Sequence, residues 1–165
     1  MTKRRALAVL ALTTSLLPRP GLAQDDGGGR LIGSWRLVSF KVQFVGEDAQ
    51  PRDIFGPRPF GRIIFTPERT MAAYLSRPDR EPPADEAAAA ALIASMIAYT
   101  GTYRVEGDRV ITAVDGAWSE VYKAHEQVRH FAVEGDRLTI RTPEQPSGTM
   151  PGKRVTSTLV WERER

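Results

Sequence analysis

The sequence predicts an all-β domain, an antiparallel up-and-down barrel of about eight strands with one helix inserted mid-chain. Three observations predict it. Short segments with apolar residues at alternate positions recur along the chain with turn residues between them. Two of those turns share the five residues Val-Glu-Gly-Asp-Arg, at 105–109 and 133–137. The connections sort into short ones at one end of a meander and long ones at the other, the layout of a small barrel with a single mouth.

The chain opens on a segment that reads as a cleaved signal peptide over residues 1–23. Lys3, Arg4 and Arg5 form a positive start, Ala6 to Leu17 an uncharged apolar run, and Gly21-Leu22-Ala23 a small-residue cleavage site. The apolar run is too short to span a bilayer comfortably, so no transmembrane segment is expected after cleavage. Arg4-Arg5 followed by Leu7 matches only part of a twin-arginine pattern, which favours the general secretory route. The expected destination is the periplasm or the outside of the cell. Gln24 to Arg30, polar and glycine-rich, reads as a flexible tail, and residues 31–165 as the barrel domain.

Strands are expected at 31–45, 60–66, 70–75, 99–105, 109–114, 120–133, 137–142 and 155–163. A helix is expected over 85–98. Asp85 is its N-cap after Pro82-Pro83, Glu86 suits the positive helix start, and Ala87–Ala91 has high helix propensity. Leu92, Ile93, Met96 and Ile97 give it one apolar stripe. The stripe fits either a lid over the mouth or packing on the outside of the sheet over Val38, Phe40 and Val42. In the first strand Val38, Phe40, Val42 and Phe44 share one parity while Trp35 and Leu37 have the other. A bulge near Leu37–Val38 would let that strand serve both halves of a barrel.

Gly107-Asp108 and Gly135-Asp136 each fit a two-residue loop whose first position needs positive φ. Such loops fix register. Glu106 then faces Arg109, Val105 faces Val110 and Tyr103 faces Thr112. In the second hairpin Glu134 faces Arg137, Val133 faces Leu138, Phe131 faces Ile140 and Arg129 faces Thr142. Alternation places Phe131, Val133, Leu138 and Ile140 inside, and Glu126, His130, Glu134, Arg137, Thr139 and Arg141 outside.

Composition excludes several functions. Removing 1–23 takes four basic residues and no acid, leaving 19 basic against 20 acidic residues in a 142-residue chain. The net charge of +3 thus belongs to the leader, and no basic run with interleaved aromatics signals nucleic acid. With no cysteine, disulfides and thiolate chemistry are excluded. His125 and His130 are the only histidines, on opposite strand faces and without a carboxylate at metal-ligand spacing, so no metal site is expected. No serine sits in a nucleophile elbow, and no cofactor is implied.

Gly33-Ser34-Trp35 opens the first strand as G-x-W, which resembles the lipocalin signature. The segments LIGSWRLVSF, GRIIFTPERTM, RPDREP, AYTGTY, EQVRHF with GDRLTIRTP, and LVWER extend the likeness over nearly all of 31–163. Through them the chain resembles the lipocalin-like domain family of bacteria and fungi. The resemblance implies that Trp35 plugs the closed end of the barrel and that Arg163 or Arg165 packs over it. It also implies a cavity for a small, largely apolar molecule. The chain departs from lipocalins proper in lacking their T-D-Y segment and paired cysteines and in placing its helix mid-chain.

Candidate ligand-binding residues are Gln127, Arg129, Phe131, Tyr99 and Tyr103. Gln127 and Arg129 share the inward face of Phe131 and lie towards the mouth. A buried guanidinium there needs a partner, either a ligand's anionic head or an internal acid such as Glu144 or Asp115. Tyr99 and Tyr103, with Gly101 leaving room between them, would either hydrogen-bond a ligand or simply fill the barrel. The expected function is binding of a small hydrophobic or amphiphilic molecule. The alternative is an isomerase, cyclase or hydrolase acting on an apolar metabolite, with Arg129 stabilising an anion and Tyr99, Tyr103 or Glu120 moving protons. A third reading is a structural or interaction module whose barrel is filled by its own side chains.

Overall fold

The computed structural model describes residues 27–48 and 50–165; the expected leader lies outside them. Ten strands form one antiparallel sheet: β1 (Gly33–Phe44), β2 (Arg52–Asp53), β3 (Phe60–Phe65), β4 (Thr70–Ser76), β5 (Met96–Glu106), β6 (Arg109–Ala117), β7 (Gln127–Glu134), β8 (Arg137–Arg141), β9 (Gln145–Pro146) and β10 (Arg154–Arg163). The short β2 and β9 are appended to β1 and β10. The other eight close on themselves, because β1 pairs with β3 on one side and β10 on the other. Closure removes the exposed edges that would otherwise need protection.

Turn chemistry sets the register. Gly107 and Gly135 adopt φ of 63° and 58°, and the pairs Val105–Val110, Tyr103–Thr112, Val133–Leu138 and Phe131–Ile140 follow. The pair Arg129–Thr142 does not form. β8 ends at Arg141, since the Thr142 N–H donates to the Ser157 carbonyl and the Thr142 hydroxyl accepts from the Ser157 N–H. In β1 a bulge between Leu37 and Ser39 changes parity. Trp35, Leu37, Phe40, Val42 and Phe44 are therefore all buried in one core.

The tight turns stitch the closed end together. The carbonyls of Arg69, Asp108 and Asp136 accept from the N–H groups of Tyr103, Phe131 and Arg163, each on a strand outside the turn's own hairpin. Residues 28–30, expected to belong to a flexible tail, form a 3-10 turn instead. They are held because the Arg163 guanidinium donates to the Arg30 carbonyl at 2.8 Å.

The helix α1 (Glu86–Ala94) is shorter than the apolar spacing predicts. The Asp85 side chain caps it, accepting from the Ala88 N–H at 2.8 Å. It stops before Met96 and Ile97 because these pair with Ser76 and Leu75 of β4. None of its residues is buried. Its Ala91 and Ala94 border an open hollow at the loop-rich end with Phe44, Phe55 and Met150. Packing outside the sheet over Phe40 and Val42 does not occur, since both point into the core. Residues 120–126, expected to begin a strand, instead hold a 3-10 turn at Glu120–Tyr122 before β7 begins at Gln127.

Candidate functional site

β7 presents Gln127, Arg129 and Phe131 to the barrel interior, at alternate positions and all buried. Arg129 is only 7% exposed. Its Nη1 donates to the Val128 carbonyl at 2.7 Å and to Gln145 Oε1 at 3.0 Å, and its Nη2 donates to Gln127 Oε1 at 2.7 Å. The Gln127 amide is itself oriented. Its Nε2 donates to the carbonyls of Tyr122 and His125 at 2.9 and 3.2 Å, which turns Oε1 towards the arginine.

No ion pair neutralises this guanidinium among the described residues. Glu144 is engaged by Arg154 at 2.6 Å, and Asp115 accepts from the Thr100 hydroxyl. Amide and carbonyl oxygens accept from a cation withdrawn from water, an arrangement that costs stability unless an anion completes it. Burial pushes the pKa of the Tyr122 hydroxyl, which borders the same cavity, up to about 12, against the opposing pull of the arginine's charge. At neutral pH it is therefore uncharged.

These groups border an interior cavity of about 40 Å³, lined by Arg129, Tyr99, Tyr122, Thr142, Gln145 and Ser157 towards the mouth and by Ile140, Leu159 and Trp161 below. That volume holds roughly three waters and falls well short of the ~300–1,000 Å³ of pockets for drug-sized ligands. The barrel is largely filled by its own side chains, and the space left is the size of a head group.

The candidate residues separate into two places. Gln127, Arg129 and Tyr99 meet at the cavity, and the Tyr99 ring lies 5.3 Å from that of Tyr122. Phe131 is buried in the core beside it. Tyr103 is at the opposite, closed end, where its hydroxyl donates to the Thr66 carbonyl at 3.0 Å and its ring meets Phe65. Gly101 leaves no room for a ligand. A Cβ there would stand 2.2 Å from the Ala113 carbonyl oxygen, because β5 and β6 approach closely at a bulge between Thr100 and Gly101. Glu120 is 82% exposed and pairs with Lys123, so it carries no proton to anything inside the barrel.

At the base, the Arg163 guanidinium lies over the Trp35 ring, while Arg165 pairs with Asp136 on the surface. His130 is also at the surface, beside Asp108, and no cluster of three metal-ligating side chains exists among the described residues. No helix among them is long and apolar enough to cross a membrane.

Tyr122, Gln145 and Trp161 are cavity residues that the sequence reading missed. Trp161 had a readable signal, since Val155, Ser157, Leu159 and Trp161 alternate along one face of β10. Tyr122 and Gln145 had none, because each enters from a connection. A second hollow, about 520 Å³ and open to solvent, lies on the outer face of β3 to β6 between Phe60, Ile64, Ala72, Tyr74, Ala98 and Trp118. Its one cation, Arg62, is engaged by Glu164.

The sequence matches the lipocalin-like domain family over residues 32–164. No curated protein matches it. The match spans the whole closed barrel, from the residue before β1 to the one after β10, and the chain belongs to the lipocalin-like domain family.

Proposed function

We propose that the barrel binds a compact organic acid, its carboxylate held by Arg129 and its apolar part resting against Ile140 and Leu159. The observation that carries this reading is a guanidinium 7% exposed, fixed by Gln127 and Gln145 and paired with no acid among the described residues. Arginine's planar fork of donors matches a carboxylate, and a dry site strengthens the attraction. The size of the cavity favours a short acid over a long-chain one. The leader-like residues 1–23 support binding in the periplasm or outside the cell.

The test compares wild type with Arg129→Met, which keeps length and removes all donors. Hexanoate and 1-hexanol are titrated by calorimetry. Hexanoate affinity should fall by about 1.5–3 kcal/mol, the range for a hydrogen bond to a charged group, while hexanol binding hardly changes. Equal loss for both, or no binding of either to wild type, overturns the reading.

A further inference from the structure

β10 turns Ser157, Leu159 and Trp161 towards the interior. Trp161 is 1% exposed, yet its indole N–H has no acceptor within hydrogen-bonding distance among the described residues. The other tryptophan at this burial behaves differently, for Trp35 Nε1 donates to the Leu31 carbonyl at 2.8 Å. A phenylalanine would offer a similar apolar surface without burying an unused donor, so the indole N–H is a polar group waiting for a partner. Trp161 also borders the same cavity as Arg129.

We propose that the Trp161 Nε1–H donates to a second acceptor on the acid held by Arg129, so that the preferred ligand is a short oxo or hydroxy acid. This rests on the carboxylate reading of Arg129. Ser157, at the level of the arginine, and Trp161 are four residues apart on one strand, about 13 Å of rise. Arg129, Trp161, Ile140 and Leu159 all line the one cavity. The ligand therefore carries a carboxylate, an apolar spacer of a few carbons, and a carbonyl or hydroxyl oxygen.

The experiment titrates the protein with short unbranched oxo acids (2-oxobutanoate, 4-oxopentanoate and 5-oxohexanoate), each against its parent acid. In wild type at least one oxo acid should bind about tenfold tighter than its parent, the effect of one hydrogen bond to a buried donor. Trp161→Phe should cancel that preference, so that within the variant the oxo acid binds no tighter than its parent. The Trp161 indole signal in a ¹H–¹⁵N spectrum, assigned by the variant, should move downfield with the oxo acid and not with its parent. This reading on wild type stands even if the variant folds poorly. Equal binding of oxo and parent acids with an unmoved indole signal overturns the proposal. So does an indole N–H in contact with a long-lived internal water that the oxo acid does not displace. A simple methyl ketone, 2-heptanone, separates the two readings: if it moves the Trp161 signal while no acid binds, the Arg129 reading fails and the Trp161 donor survives.

Discussion

The guanidinium carbon of Arg163 stands 4.0 Å from the centre of the Trp35 indole. The same arginine donates to the carbonyls of Ile32 and Arg30, both at 2.8 Å, while the indole N–H donates to Leu31. The last strand thus clamps the segment that leads into the first, over the buried ring that closes the barrel base. Gly33 is required for this approach, with φ of 129° and a would-be Cβ only 2.9 Å from Arg163 Nη1.

Trp35→Ala should therefore destabilise the fold by about 3–5 kcal/mol, the range for truncating a buried aromatic. Arg163→Met should cost about 1–3 kcal/mol through lost cation–π and carbonyl contacts. Because the two side chains touch, the double variant should lose less than the sum of the singles by about 1 kcal/mol. Urea denaturation of the four proteins reads this directly. Strict additivity would show that the stacking contributes nothing.

Most of the barrel was legible because its hairpins announce their own register. A glycine at the first loop position sets the pairing, and alternation then sorts Phe131 and Leu138 from His130 and Arg137. The helix end was not legible. Leu92, Ile93, Met96 and Ile97 have helical spacing, but Ile97, Tyr99, Gly101 and Tyr103 have strand spacing, and pairing with β4 decides between them. The site was half legible for a related reason. Arg129 and Gln127 follow from register, whereas Tyr122 and Gln145 reach Gln127 and Arg129 respectively from connections whose path only packing determines.

Alkaline pH should expose the burial of Tyr122. Its folded-state pKa, raised to about 12 by burial, exceeds the ordinary value of 10. Its contribution is fully present below pH 10 and is lost as pH rises through 12, when the unfolded chain ionises first. Stability should fall by about 2 kcal/mol across that window on its account, and Tyr122→Phe should flatten that part of the profile. Absorbance at 295 nm should show one tyrosinate forming late in wild type and missing from the variant. An unchanged profile in the variant would place the ionising hydroxyl elsewhere.

Gly101→Ala should disrupt the bulge between β5 and β6. The new Cβ would press on the Ala113 carbonyl oxygen, a backbone atom that cannot rotate away. A cost of about 3 kcal/mol is expected, as for overpacking that moves backbone. Gly107→Ala is the control, in an open turn at φ of 63° with nothing within 4 Å. It should cost about 1 kcal/mol from strain alone. Thermal midpoints in the reverse order would mean that the backbones can part at the bulge.

Gln145 should act as a stand-in for the ligand. Its Oε1 occupies one hydrogen of Arg129 Nη1, and the other goes to the Val128 carbonyl, so an incoming carboxylate finds that nitrogen fully used. Gln145 lies on β9, in the connection between β8 and β10, where two residues pair with β10. The same connection packs closely on the mouth, for a Cβ on Gly148 would stand 2.5 Å from the Tyr122 ring. Two paired residues are a small barrier to displacement, so the connection can yield when an acid competes for the arginine. Gln145→Ala frees the donor without touching the arginine and enlarges the cavity by most of a side chain. Hexanoate affinity should then rise about three- to tenfold, the effect of roughly 1 kcal/mol for one competing hydrogen bond. Hexanol affinity should change little, and the fold should lose about 1 kcal/mol. Calorimetry on wild type and variant decides the matter. A fall in hexanoate affinity would show that the Gln145 amide binds the acid alongside Arg129 instead of giving way to it.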